Sequence, residues 1–354
     1  MRVGLDVTPA VTAKAGLARY TEQLWRELVH RDDVEVHAFA LGRGPDGDFG
    51  LPLTRRHLPL NALRPVWRAV RWPRAETFAG DVDVVHTIAL TPIPTHKPQV
   101  VTIHDMLPLT HGELYPPGAG DGQRAELAEA SRARVILTTC EATADEIVRV
   151  AGLPRERIVI ARPGVLPPQG EAPIPLEPPF ILAVGQVTPR KGFDVIAEAA
   201  ARLGEECPPV LLAGPDWWRS EEIRSRIAEV DAHRRVQLLG PVDDATLASL
   251  YRAATIVCHA SRGEGFGMTC LEAMAFGAPV VATDLPSVRE LAAGTVVLVP
   301  VDDVEAMADA LRGLLDDENR RRALGEAARK RAAEFSWERM AAEVVDAYRL
   351  ALAA

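Results

Sequence analysis

The chain has 354 residues, 47% of them apolar and 25% charged, which excludes wholesale disorder and leaves length for two buried cores. Its net charge of −9 is uneven: residues 1–165 hold 20 basic and 20 acidic side chains, and the remainder holds 20 and 29. That sign argues against a nucleic-acid partner.

Met1–Val7 reads as a short buried strand. A loop with Thr8, Pro9 and Gly16 follows, then a helix over Leu17–His30. Val34–Ala40, Val82–His86, Gln99–His104 and Val135–Thr139 are further apolar runs of strand length, with helical stretches at Arg124–Ala133 and Thr143–Ala151. This alternation predicts a parallel sheet with helices on both faces. Leu60–Arg74 has two readings. Leu63, Val66, Trp67 and Val70 share one helical face, and Arg64, Arg68 and Arg71 another. The segment is then either an ordinary packing helix with a solvated Arg stripe or a basic amphipathic helix lying on an anionic membrane.

The pattern stops at residues 166–179, LPPQGEAPIPLEPP, where repeated prolines forbid a helix or a central strand. We read this as a linker. The alternation then restarts. Strands are expected at Phe180–Val184, Val210–Ala213, Val236–Leu239, Ile256–Ala260 and Pro279–Ala282. Helices are expected near Asp194–Leu203, Glu221–Ala232, Asp244–Ala253 and Thr269–Phe276. Trp337–Leu352 is an amphipathic helix, with Met340, Val344, Ala347 and Tyr348 at three- and four-residue spacing. The expected domains are 1–165 with the helix 337–354, then the linker, then 180–336. Two doubly wound α/β domains would face a cleft with the carboxyl ends of their strands.

Cys140, Cys207, Cys258 and Cys270 show no CxxC spacing, and buried thiols are expected. The start MRVGLDVTPAV does not read as a signal peptide, and no apolar run approaches about 18 residues. The expected location is the cytoplasm, with peripheral membrane contact through 60–74 as the weighed alternative.

Three segments carry chemistry. Ser261–Glu272, SRGEGFGMTCLE, follows a strand and opens a helix. Gly263, Gly265 and Gly267 allow close backbone approach, and the helix start offers unpaired amides to an anion. Glu264 and Glu272 point at different parts of one extended ligand. The sixth residue from Gly263 is Met268 and from Gly265 is Cys270, so no G-x-G-x-x-G dinucleotide fingerprint is present. In AVGQVTPRKG, Arg190 and Lys191 stand at a strand's carboxyl end beside a helix start, a placement that suits a diphosphate. In VVTIHDMLP, His104 and Asp105 close a buried strand. Taken singly, each segment also reads as a structural turn or a solvated surface feature.

AVGQVTPRKGFD, LLGPVDDATLASLYRAA and SRGEGFGMTCLEAMAFGAPVVAT together resemble the second domain of retaining glycosyltransferases with the GT-B fold, in particular family 4. Glu264 and Glu272 match that family's E-x7-E pair, and SWERMAAEVVDAY matches its closing helix, which crosses back onto the first domain. VTIHDMLPLTHGELYP and AGLARYTEQLWREL are similar to a branch that contains polysaccharide mannosyltransferases.

The resemblance implies a role for each matching residue. Arg190 and Lys191 hold the donor diphosphate, and Glu272 accepts from the ribose. Glu264, Gly265, Phe266, Gly267, Met268 and Thr269 surround the donor sugar, with His104 beside the reacting bond. Gly16 gives the phosphate close approach, and Gly240–Val242 holds the base. It further implies transfer of a hexosyl group, mannosyl favoured, from GDP-mannose or another GDP- or UDP-sugar to a saccharide or lipid-linked acceptor in polysaccharide biosynthesis. Protein cations would stabilise the leaving group, so no metal and no cofactor are expected. Many relatives carry Arg where Gln186 stands here. A nucleotide-sugar epimerase and a non-catalytic nucleotide-sugar binder are the alternatives. The first is not expected to carry the E-x7-E pair, and the second has no need of an intact Glu264, Glu272, Lys191 and His104.

Overall fold

The computed structural model describes residues 1–13, 16–42, 49–90 and 93–353, so Ala15 and Ala354 lie outside the described residues. The chain divides into two units, Met1–Thr110 with Gly118–Gly164 and Phe335–Ala354, and His111–Pro117 with Val165–Glu334.

Among the described residues the first unit holds a parallel sheet of seven strands. They are β1 (Arg2–Asp6), β2 (Glu35–Leu41), β3 (Thr54–Arg56), β4 (Val84–Thr87), β5 (Gln99–Thr102), β6 (Val135–Thr138) and β7 (Ile158–Ile160). Their order is β3-β2-β1-β4-β5-β6-β7, all parallel. Val3, Leu5, Val84, Val85, Val100, Val101, Ile136 and Leu137 are buried, as a sheet covered on both faces requires. The order reverses between β1 and β4, which opens a crevice at the carboxyl ends of the strands.

The last helix, Trp337–Ala353, belongs to this unit and lies against β4, β5, β6 and β7. Its Tyr348 hydroxyl is 2.7 Å from His86 Nδ1, and His86 Nε2 is 2.8 Å from Thr102 Oγ1, so the fully buried imidazole has partners on both nitrogens. Arg349 also donates to Asp33 at 2.7 Å.

Among the described residues the second unit repeats the same design with six strands. They are β8 (Ile181–Val184), β9 (Val210–Ala213), β10 (Val236–Gly240), β11 (Ile256–His259), β12 (Val280–Thr283) and β13 (Val297–Val299). The order β10-β9-β8-β11-β12-β13 places its reversal between β8 and β11. Phe193, Ile196, Ala200, Met307 and Leu311 pack on this sheet with Ile181, Leu212 and Val281.

Several expectations are corrected. Residues 8–12 form a helix, not a loop, with Pro9 in the first turn where its missing amide costs nothing. The helix expected over Arg124–Ala133 runs over Ala119–Ala130, starting after Gly118 at a φ of 83°. The proline-rich segment 166–179 carries no helix or strand, and it groups with the second unit instead of standing between units. Ala172 donates to Ser249 Oγ at 3.0 Å and Arg252 to the Gly170 carbonyl at 2.8 Å, which explains that grouping.

The helix over Leu60–Val70 splits the apolar face expected for it. Trp67 is buried and Leu63 packs on the core, while Val66, Val70 and the following Trp72 are 40%, 64% and 62% exposed. Arg64 and Arg71 do not form a free stripe, because they pair with Glu126 at 3.2 Å and Glu129 at 3.3 Å. All four cysteines are free and buried. Among the described residues no helix is long and apolar enough to cross a membrane.

Candidate functional site

At the reversal point of the second unit, two loops leave neighbouring strands. One runs from β8 through a tight turn at Pro189–Lys191 into the helix Phe193–Leu203. The other runs from β11 to the helix Met268–Ala275. Gly192 fixes how closely they approach: its φ is 62°, and a Cβ there would sit 2.0 Å from the Ala260 carbonyl oxygen. Only glycine permits that contact. Arg262 then clips the loops together. Its amide donates to the Arg190 carbonyl at 2.8 Å, and its guanidinium pairs with Asp194 at 2.7 Å.

Arg190, Lys191 and Glu264 meet in this clip. Lys191 Nζ lies 2.6 Å, Ser261 Oγ 2.7 Å and Arg190 Nη1 3.0 Å from Glu264 Oε1. Arg190 also donates to the Gly263 carbonyl at 2.9 Å. All three bonds to the carboxylate end on Oε1, and Oε2 takes none of them. Burial alone would raise the Glu264 carboxyl, but Lys191 and then Arg190 hold it well below the usual carboxylate range. Burial pulls the Lys191 ammonium below its ordinary value, and Glu264 opposes that pull. The result is a compact, ionised cluster with two cations on one carboxylate.

Gly267 caps the helix Met268–Ala275 at a φ of 102°, a conformation that favours glycine, and leaves the amides of that first turn at the loop. Glu272 lies one turn further, 7% exposed, with Oε2 3.2 Å from the Tyr251 hydroxyl, whose ring stacks on Phe276. The charge of Glu272 also reaches Lys191, raising that ammonium together with Glu264. The Thr188 hydroxyl in the first loop and the Thr269 hydroxyl in the first turn of the helix Met268–Ala275 are buried and make no hydrogen bond. Gly240 ends β10 at a φ of 70°, with Val242 half-buried two residues on.

The first unit brings together a different set. His104 follows β5 and donates from Nε2 to the Ile88 carbonyl at 2.8 Å, which leaves Nδ1 as the acceptor. Burial lowers its pKa to about 4, against the Ile88 bond, and Tyr20 packs edge-on at 4.6 Å between ring centres. Asp105 accepts from the Leu107 amide at 3.0 Å. Gly16 opens the helix Gly16–Val29, and a Cβ there would meet no atom within 4 Å. At the end of β1, Asp6 borders a cavity of about 190 Å³ with Thr8, Leu17, Leu60 and Trp67. Among the described residues, no group of three or more His, Cys, Asp or Glu is placed to hold a metal ion.

Sequence reasoning missed His259, Ser261, Tyr251 and Arg262. Ser261 and Arg262 stood inside the glycine-rich segment, and their roles appear only once the loops meet. His259 looked like one more residue of a buried strand.

Residues 169–331 match the family of glycosyl transferases group 1, and residues 15–169 match glycosyltransferase family 4. A D-inositol 3-phosphate glycosyltransferase of Nocardia farcinica is 30% identical over 85% of this chain and 73% of its own length. The corresponding protein of Xylanimonas cellulosilytica is 33% identical over 71% of this chain, which spans 66% of that relative. An O-antigen chain mannosyltransferase B of Escherichia coli is 27% identical over 71% and 70%. Among solved structures, sucrose-phosphate synthase from Thermosynechococcus elongatus superposes with a TM-score of 0.77 over 99% of this chain and 98% of that one, at 21% identity. Anabaena HepE in complex with UDP and glucose gives 0.74 over 99% of each chain, at 18% identity. With two Rossmann-ordered sheets, a closing helix returned to the first unit and both family matches along one chain, the protein belongs to the group 1, family 4 glycosyltransferases and has the GT-B fold.

Proposed function

We propose that this chain transfers a hexosyl group, mannosyl favoured, from a nucleotide-diphosphate sugar to a saccharide or lipid-linked acceptor, with retention at the anomeric carbon. The observation that carries this reading is the buried cluster of Lys191, Arg190 and Glu264 at the reversal point of the second sheet. Departure of the nucleotide diphosphate builds negative charge. Two cations gathered in one buried cluster, beside a helix start, are at hand to receive it. They supply what a divalent metal supplies elsewhere, so the reaction needs none. Glu264 Oε2 and the first-turn amides of Met268 and Thr269 then face the sugar, and Glu272 the ribose. Mannosyl is favoured by the first-domain resemblance and by relatives named as mannosyltransferases. Those relatives' names cite a phosphatidyl-myo-inositol and an O-antigen chain, and both acceptor types stay within the proposal.

The test is a panel of GDP- and UDP-sugars assayed for nucleotide diphosphate release in excess EDTA, with product NMR. Release with GDP-mannose and an α-linked product from the α-linked donor is expected. A β-linked product would overturn retention, and loss of turnover restored by manganese would overturn metal independence.

Val66, Val70 and Trp72 project from the first unit next to the exposed Arg68. This favours peripheral contact of the cytoplasmic protein with an anionic bilayer through 60–74. Co-sedimentation with phosphatidylglycerol vesicles, lost in a Val70→Ser, Trp72→Ser variant, is the expected result. Equal recovery with both proteins would overturn it.

A further inference from the structure

His259 ends β11 and is 5% exposed, yet neither ring nitrogen makes a hydrogen bond. Its neighbours in the strand, Val257 and Cys258, are apolar and buried. An imidazole in such a place without a partner is costly, and an apolar side chain would serve packing better. The ring is not distant from polar company. Nε2 lies 3.5 Å from Glu264 Oε1, the oxygen that Lys191, Arg190 and Ser261 already occupy. That distance exceeds the range of a good N–H···O bond. His259 therefore waits behind a carboxylate whose near oxygen is full.

The occupancy changes once a diphosphate enters. Lys191 Nζ and Arg190 Nη1 are the two cations that the anion would claim, and both sit on Glu264. The Glu264 side chain is 11% exposed, so losing them would leave a buried carboxylate short of donors. We infer that His259 is a positioning residue for Glu264: as Lys191 and Arg190 turn toward the donor diphosphate, the His259 ring closes on Oε1. With Ser261 it then keeps the carboxylate aimed, and Oε2 remains free for a hydroxyl of the sugar. This rests on the proposed donor reading. It deepens that reading by separating the diphosphate, which needs the cations, from the sugar, which needs His259.

The experiment compares two ligands that differ only in the sugar. The full chain, with His259→Phe and His259→Gln variants, is titrated calorimetrically with GDP and with GDP-mannose, and with UDP and UDP-glucose in parallel. Phe fills the space without a donor; Gln retains an N–H. For whichever pair the unaltered chain binds, His259→Phe should weaken the nucleoside diphosphate by only about twofold to threefold, the share that comes from drawing the cations off Glu264. It should weaken the nucleotide sugar by about tenfold, the size of one charge-assisted bond, and lower turnover. His259→Gln should recover most of that loss. If Phe does not fold, Leu takes its place. Equal loss for both ligands with a lowered melting temperature would reduce His259 to a packing residue and overturn the inference. So would wild-type behaviour of the Phe variant. Failure of the unaltered chain to bind either pair would instead remove the donor reading, and the inference with it.

Discussion

The two sheets share one strand order, but the groups at their reversal points are tuned in opposite directions. In the second unit, Glu264 is buried and stays ionised because Lys191 and Arg190 lie within 3.0 Å of one of its oxygens. In the first unit, burial shifts three groups near the crevice toward their neutral forms, with Asp6 still ionised at pH 7.5. Asp6 is pushed up to about 6, His104 down to about 4 and His86 down to about 3. The same Rossmann crevice can thus be furnished for a charged ligand or an uncharged one, and the difference lies in whether counter-charges share the crevice.

The largest effect should come from breaking the charged cluster. Lys191→Ala removes the shorter of the two ion pairs and leaves Glu264 with Arg190, Ser261 and the more distant His259. Nucleoside diphosphate affinity should fall by about 1.5–3 kcal/mol, and folding stability by about 3 kcal/mol, as for a broken buried pair. Calorimetry with GDP and UDP and urea unfolding check both. Unchanged nucleotide affinity would sink the assignment of the cluster to the donor.

Next in size is His104→Ala in the neutral crevice. With Nε2–H fixed on the Ile88 carbonyl, the ring presents Nδ1 as a hydrogen-bond acceptor at any pH above its depressed pKa of about 4. Its contact should matter most as the glycosidic bond breaks. Turnover should therefore fall about a hundredfold with KM for the donor changing little. The unaltered protein should show no loss of turnover from His104 protonation between pH 5 and 8. A rate that titrates away near 6.5 and is flat in the variant would show that the ring ionises in its ordinary range.

Much of this contrast was legible in the sequence, for physical reasons. Central strands are long apolar runs, so β1, β4, β5, β6, β8, β9, β11 and β12 all fell within the expected segments or within a residue of them. The strands missed, β3, β7 and β13, are three-residue edge strands, too short to show a period. The helices Val304–Leu315 and Glu318–Ala332 were also missed. Each announces itself with an aspartate cap: Asp303 accepts from Ala306 and Asp317 from Arg320. For the site, glycines and the E-x7-E spacing located the loops. No spacing rule predicts that Lys191 and Arg190 close on Glu264 itself, because that contact joins residues 73 and 74 positions apart. Gly192 is readable only as a loop glycine until Ala260 stands opposite it.

The smallest effect tests the neutral side directly, with Asp6→Asn. Asp6 is 4% exposed, and its Oδ1 accepts from the Thr8 amide at 3.0 Å and from the Thr8 hydroxyl. Burial nevertheless raises the carboxyl from an ordinary 3.8 to about 6, with the Thr8 bonds opposing. Because the folded value is the higher one, the folded state keeps its proton where the unfolded chain has lost it. Stability from this group is therefore full below about 3.8 and falls as pH rises through 6. Two pH units correspond to about 3 kcal/mol at most. Asparagine can accept both Thr8 bonds and carries no charge to bury. Asp6→Asn should then stabilise the fold by about 1–3 kcal/mol at pH 7.5 and by almost nothing at pH 4, read as urea midpoints at unchanged m-value. His86 and His104 titrate in the opposite sense as pH falls, but both proteins carry them and the difference cancels their contribution. A variant less stable than the parent at pH 7.5 would mean that the ionised carboxylate has a counter-charge there. The first crevice would then be furnished for charge, as the second one is.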